Sequence, residues 1–219
     1  ELLEEMKQSK EFRPDEITYN TLIDGCARYG LFDRGMGLVE EMQEFGVRPS
    51  NFTLSVLAKL CTRSRRPEKA FELCSSLARK YGLQLNMQVY NNLIHACTVM
   101  RNMVQADEVF EKMLREGVRA DGRTYSLLIK GYLSCNMIQE AVAALRTGLG
   151  LEGGRPEQRP SGFISPDIVT EVLEAIAAKQ STEEALELLR AARRVPGLKL
   201  DPKIQMRLTS TAVCRPTRP

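Results

Sequence analysis

Apolar residues recur along this chain at the i, i+3, i+4, i+7 spacing of one helical face, and that face returns at intervals of about 35 residues. Tyr19, Leu22, Ile23 and Cys26 form it first. Leu54, Leu57, Ala58 and Cys61 repeat it, then Tyr90, Leu93, Ile94 and Cys97, then Tyr125, Leu128, Ile129 and Tyr132. Each set predicts an amphipathic helix with one buried stripe. A second helical pattern follows after a short break, at Tyr29-Gly30 in the first row and at Arg65-Arg66-Pro67 in the second. There a small residue keeps its place in every row, as Gly35, Ala70, Ala106, Ala141 and Ala185, which predicts close approach between helices. Met42 and Met113 recur at one place in the same helices and read as packing residues.

The rows divide the chain into repeats over residues 16–50, 51–86, 87–121, 122–148 and 166–201. Residues 1–15 match the second half of an upstream repeat, and residues 202–219 open like a further first half and end in a tail. Between rows four and five, residues 149–165 read LGLEGGRPEQRPSGFIS, a Gly- and Pro-rich stretch expected to be a tolerated inserted loop rather than a dedicated binding loop. A single helical pair cannot bury its own apolar stripe. The rows must therefore stack, and the predicted fold is all-α: a right-handed superhelical α-solenoid of helix-turn-helix repeats with a core continuous between neighbours.

Composition changes this picture little. Among 219 residues, 43% are hydrophobic and 27% charged, the balance of an ordinary globular chain. The net charge of +3 neither demands nor excludes a polyanionic partner. No run approaches the ~18 apolar residues of a bilayer-spanning helix. A chain that begins at Glu1 is expected to be cut from a longer one, whose targeting segment would lie upstream. The six cysteines, Cys26, Cys61, Cys74, Cys97, Cys135 and Cys214, include no Cys-x-x-Cys pair. Free thiols are the expectation, with Cys26, Cys61 and Cys97 as small core residues. His95 is the only histidine, and with Cys97 it falls short of the four ligands of a structural zinc site, so neither metal nor cofactor is expected.

The opposite face of each first helix cannot be core. Ile17, Asn20, Asp24 and Arg28 lie there in the first row, followed by Phe52, Ser55, Lys59 and Arg63; Gln88, Asn91, His95 and Val99; Arg123, Ser126, Lys130 and Ser134; and Asp167, Thr170, Glu174 and Ala178. Across the first four stripes Arg28, Lys59, Arg63, Arg123 and Lys130 face a single acid, Asp24, whereas the fifth stripe is acidic. Cations, small amides, hydroxyls and an occasional flat group along one groove suit a single-stranded nucleic acid, although any solvated helix face is also polar.

At this point ITYNTLIDGCARYG…GVRP and VYNNLIHAC…ADEVFEKMLREGV resemble pentatricopeptide repeats, and the resemblance covers residues 16–201. The tetratricopeptide repeat has a similar period but expects a Trp, and this chain has none. The resemblance implies that each repeat reads one base of single-stranded RNA with the polar residue after the Tyr column and the last residue of the repeat. The matching pairs are Asn20 with Ser50, Ser55 with Asn86, Asn91 with Asp121, and Thr170 with Asp201. The family code makes these a pyrimidine, with C preferred, then A, U and G. Ser126 belongs to the fourth repeat, but the insertion displaces its partner, so Ser165 is only a stand-in and that base stays unassigned. Asp15 closes the truncated first repeat, whose other reader is absent. The family also packs each base between side chains two places before the Tyr column, where Ile17 and Phe52 fit and Gln88, Arg123 and Asp167 depart. Arg123 can still stack through its guanidinium plane. The implied phosphate contacts are Arg28, Lys59, Arg63 and Lys130, while Val99, Ser134 and Ala178 lack the cation. His95 faces the same groove.

Relatives with a deaminase-like extension need His-x-Glu and Cys-x-x-Cys around zinc, and neither motif occurs here. There is no Gly-rich phosphate loop, and the repeats leave no residues in this chain for an appended nuclease domain. The chain is therefore expected to be no enzyme but a monomeric RNA-binding module of a mitochondrion or chloroplast, directing RNA processing, editing, stability or translation and meeting RNA-processing or ribosomal proteins there. A protein-interaction scaffold with degenerate readers is the alternative that the acidic fifth stripe keeps open.

Overall fold

The computed structural model describes residues 2–8, 11–155, 163–179 and 181–213. Residues 156–162 of the insertion, and Cys214 with the rest of the tail, lie outside the described residues. Contacts divide the chain into two units, Glu1–Phe110 and Glu111–Pro219. No strand occurs among the described residues.

The first unit holds α1 (Leu2–Gln8), α2 (Glu16–Tyr29), α3 (Phe32–Glu44), α4 (Asn51–Arg63), α5 (Glu68–Tyr81) and α6 (Met87–Val99). Helix α2 pairs with α3 and α4 with α5 as antiparallel hairpins, while α2 packs on α4 and α4 on α6, so the first helices of successive rows lie side by side. The division between units falls inside α7 (Met103–Arg115). In the second unit α8 (Gly122–Ser134) pairs with α9 (Ile138–Leu149), and α10 (Pro166–Lys179) pairs with α11 (Thr182–Ala192). Helix α10 also packs on α8 and α9, and α12 (Ile204–Val213) closes on α10 and α11.

Local chemistry sets these boundaries. Asp15, Ser50, Asn86 and Asp121, each in extended backbone, accept a hydrogen bond from an N–H of the first turn of α2, α4, α6 and α8 in turn. The tight break inside the hairpins needs one left-handed residue at a fixed place. Gly30 supplies it in the first row at φ 69°, and Arg65, Arg101 and Asn136 take the same conformation in the next three at φ 58°, 55° and 62°. Glycine adopts it without the Cβ penalty the other three carry.

The apolar columns form the core. Tyr19, Ile23, Leu54, Leu57, Tyr90, Ile94 and Ile129 are buried to within 0% exposure, and the small column Ala70, Ala106, Ala141 and Ala185 is equally closed. At Gly35 a Cβ would meet the Leu60 side chain of α4, which would have to shift to admit it. Leu22 departs from the expectation that it is core: it is 37% exposed, whereas its equivalents Leu57, Leu93 and Leu128 are buried. Within this chain no first helix precedes α2, so this side of Leu22 has no neighbouring row to cover it. Cys26, Cys61, Cys74 and Cys97 are buried free thiols, and burial pushes Cys74 up to about 12, Cys61 and Cys97 to about 11. Such thiols stay protonated and unreactive near neutral pH.

Candidate nucleic-acid interface

One residue of each polar stripe occupies the same helical position. Asn20, Ser55, Asn91, Ser126 and Thr170 each stand fifth in α2, α4, α6, α8 and α10. In the first unit the stripes share one profile of exposure. Ile17 and Phe52 are solvent-exposed, 74% and 61%, at the upper lip, and Arg28, Arg63 and Val99 are exposed at the lower. Between them Asn20, Ser55 and Asn91 are recessed at 1%, 3% and 1% exposure. Two helices lying side by side, each with its fifth residue turned toward the seam, produce that recess. In the second unit Arg123, Lys130 and Ser134 are exposed around a half-buried Ser126, and Asp167, Glu174 and Ala178 around a half-buried Thr170.

Burial of a polar side chain demands a partner, and the partners differ from row to row. Asn20 Nδ2 donates to Glu16 Oε1 at 3.1 Å. Ser50 Oγ donates to the same oxygen, and Thr53 Oγ1 reaches it at 3.4 Å. The first pair, Asn20 and Ser50, is thus brought together across the α2–α4 seam by one carboxylate. Ser55 Oγ accepts from Asn92 Nδ2 of the next row at 2.7 Å, and the Ser55 carbonyl accepts from the same amide at 3.0 Å. Ser126 and Thr170 donate to the carbonyls of Gly122 and Pro166 one turn back, at 2.7 and 3.0 Å. Ser55 and Asn86 are not hydrogen-bonded to each other, nor are Thr170 and Asp201.

The second column has its own local task. Ser50, Asn86 and Asp121 are the caps named above, and Asp121 Oδ1 accepts from Thr124 N at 2.7 Å. Asp201 Oδ1 accepts from Lys203 N at 2.9 Å, and its Oδ2 pairs with Arg207 at 3.3 Å. In Asp121 the capping bonds fall on one carboxylate oxygen. Asp121→Ala is expected to cost about 1 kcal/mol of stability through the lost cap, read as a lower urea midpoint, and an unchanged midpoint would refute the capping role.

The insertion rejoins the array in register. Pro14, Pro49, Leu85, Ala120 and Ile164 are all buried, and each stands immediately before Asp15, Ser50, Asn86, Asp121 and Ser165. Ile164 is 1% exposed against α8 and α9, where a Cβ at Gly148 would collide with it. Ser165, exposed, leads into α10 with its carbonyl accepting from Ile168 N at 3.1 Å.

Among the cations, Arg28 is engaged by Asp24 at 2.9 Å and Lys130 by Glu171 at 4.0 Å, both at exposed positions. Arg63 is exposed and Lys59 half-buried; His95 is exposed on α6. Glu174 of the acidic stripe pairs with Arg207 at 3.6 Å. Sequence reasoning missed Glu16 and Asn92. Glu16 is the only acid among the residues that open α2, α4, α6, α8 and α10, and that oddity was its available signal. The Asp, Ser and Asn of the last column, each just before an apolar-periodic run, were likewise a readable capping signal.

Comparison with known proteins bears on the family and the fold. The PPR repeat family model matches residues 14–63 and 85–134, and the PPR repeat model matches residues 123–146. The chain belongs to the pentatricopeptide repeat family. A chloroplastic pentatricopeptide repeat-containing protein of Arabidopsis thaliana is 26% identical over 133 residues, covering 60% of this chain and 17% of the relative. The mitochondrial pentatricopeptide repeat-containing protein 1 of Homo sapiens is 25% identical over 185 residues, 77% of this chain and 26% of the relative. The chain thus spans about a quarter or less of the length of these relatives. Among solved structures, PPR10 from maize superposes with TM-score 0.68 at 21% identity, over 99% of this chain and 29% of that one. PPR10 in complex with an 18-nt psaJ RNA element gives 0.69 at 16% identity, over 95% and 27%. The PPR domain of Arabidopsis thaliana protein-only RNase P 1, in complex with tRNA, gives 0.67 at 14%, over 90% and 97%. These likenesses define the fold as the helical-repeat solenoid of that family.

Proposed function

We propose that this chain binds single-stranded RNA, one base per repeat, with Asn20, Ser55, Asn91, Ser126 and Thr170 as the principal readers and Ser50, Asn86, Asp121, Ser165 and Asp201 as their second column. The observation that carries this reading is the shared placement of five polar side chains at one helical position, recessed in the first unit between an exposed apolar lip at Ile17 and Phe52 and an exposed cationic lip at Arg28 and Arg63. An apolar lip can hold a base face, a recessed amide can meet a base edge, and guanidinium groups can hold phosphate. The register that Ile164 restores supports Ser165 as the partner of Ser126. The RNA-bound neighbours agree in partner class, and relatives named chloroplastic and mitochondrial support an organellar site of action. Alignment with the PPR domain of protein-only RNase P 1 supports a role in binding.

Binding of the whole chain to RNA of randomised sequence, titrated with salt, tests the proposal. About five phosphate contacts on a single strand predict a slope of log affinity against log salt near −3.5. Arg63→Ala is expected to flatten that slope by roughly one contact's share while leaving base preference in place. A protein scaffold with degenerate readers predicts no base preference, and that result would sink the proposal.

A further inference from the structure

The fifth stripe lacks the cations of the first two. Ala178 of α10 stands where Arg28 and Arg63 stand on α2 and α4, and the only basic residue of α10, Lys179, donates to Asn136 of the row before. Asp167 and Glu174 are exposed along the stripe, and Asp201, the closing residue of the same row, adds a third exposed carboxylate. Left to themselves these three groups would repel a polyanion.

A side chain from the next helix changes the balance. Arg207 of α12 pairs through one terminal nitrogen with Glu174 Oε1 at 3.6 Å and through the other with Asp201 Oδ2 at 3.3 Å. Its backbone is fixed by Ile204 and Leu208, both at 0% exposure, which seat α12 on α10 and α11. The three charged side chains are about half exposed, at 50% for Arg207 and 47% for each partner. At such positions water and salt leave an ion pair little to add to stability. Its effect on the field outside the protein is less diluted, because a phosphate lying along α10 would be within a Debye length, ~8–10 Å in ordinary buffers, of the whole group. With the guanidinium between them, Glu174 and Asp201 share a positive charge that α10 does not supply.

Resting on the RNA-binding reading above, we propose that Arg207 is a positioning residue for RNA: by bridging Glu174 and Asp201 it lowers the negative field over the fifth repeat so that a single strand can lie along α10 and bring a base to Thr170. In the first two repeats the exposed arginine stands on the reading helix itself. In the fifth the cation comes from the helix that follows, and it acts on carboxylates in place of a bare phosphate site.

The test is the affinity of the whole chain for single-stranded RNA selected from randomised sequence, with Arg207→Ala, Glu174→Gln and the double variant measured beside wild type. Arg207→Ala is expected to weaken binding by roughly fivefold near 50 mM salt and to differ little from wild type near 500 mM, where the field is screened. The base facing the fifth repeat is the one whose enrichment changes in Thr170→Asn. Arg207→Ala should flatten the preference there and leave the second and third repeats unmoved. Adding Glu174→Gln to Arg207→Ala should restore most of the affinity, since it removes the charge that the arginine offsets. A double variant as weak as Arg207→Ala would mean that the arginine only holds α12 on α10, and the inference would fail. It would fail equally if Arg207→Ala bound like wild type. Tighter binding, or a sharper choice at the fifth base, would make Arg207 a competitor of RNA for Asp201 and overturn it as well. A wild-type chain with no affinity for RNA is a separate result, which removes the RNA-binding reading and this inference with it.

Discussion

Leu57→Ala is expected to destabilise the first unit by about 2–5 kcal/mol, and Leu22→Ala, at the same place one row earlier, by well under half as much. The two leucines are indistinguishable in the apolar pattern. Leu57 is fully closed in α4, a helix packed on both α2 and α6, so deleting its side chain leaves a cavity walled by helices that cannot collapse independently. Leu22 is 37% exposed on α2, which has a first-helix neighbour only in α4, and its removal returns surface to water instead of opening a void. Urea unfolding of the two variants beside wild type reads the difference as a shift of midpoint at constant slope. Equal losses would mean that Leu22 is covered after all.

That pair shows what a periodic sequence discloses and what it leaves hidden. Column identity is legible because the helical period and the repeat period both act locally: Tyr19, Tyr90 and Tyr125 announce the same buried position three times. Coverage is not, because it depends on which rows flank a given row. The last column was legible in its chemistry yet carried two meanings, since the short oxygen-bearing side chains that a base-reading position uses are also the ones that cap a helix. In Asp121 the capping role is the one the geometry shows, with Thr124 N and Oγ1 both donating to Oδ1. The insertion was legible as a composition change at residues 149–165, but its return to register was not. That return rests on Ile164 filling the space that Gly148 leaves, a contact between residues sixteen places apart with no local signature. Glu16 was hidden for a related reason. Its bond to Asn20 is one helical turn long, but its bond to Ser50 spans a whole repeat and follows only from the way α2 lies against α4.

Asn91→Ser is expected to move the base preference of the third repeat away from uracil and toward a purine, by roughly ten- to a hundredfold in the ratio of affinities, while the best-bound RNA of the variant stays close in affinity to that of wild type. Asn91 is 1% exposed on α6, recessed in the same way as Asn20 on α2. An amide there offers a donor and an acceptor side by side, the complement of a pyrimidine edge. Serine is shorter and keeps a single hydroxyl, so the recess deepens and a two-ring base fits where a one-ring base would leave a gap. A change confined to the bottom of the recess leaves the cations at Arg28, Lys59 and Arg63 untouched, so the salt slope should not change. Those two readouts separate recognition from general attraction. A variant that bound every sequence more weakly by the same factor, at an unchanged order of preference, would make Asn91 a structural residue of the seam and not a reader. A variant whose preference moved while the salt slope held would assign the third repeat its base.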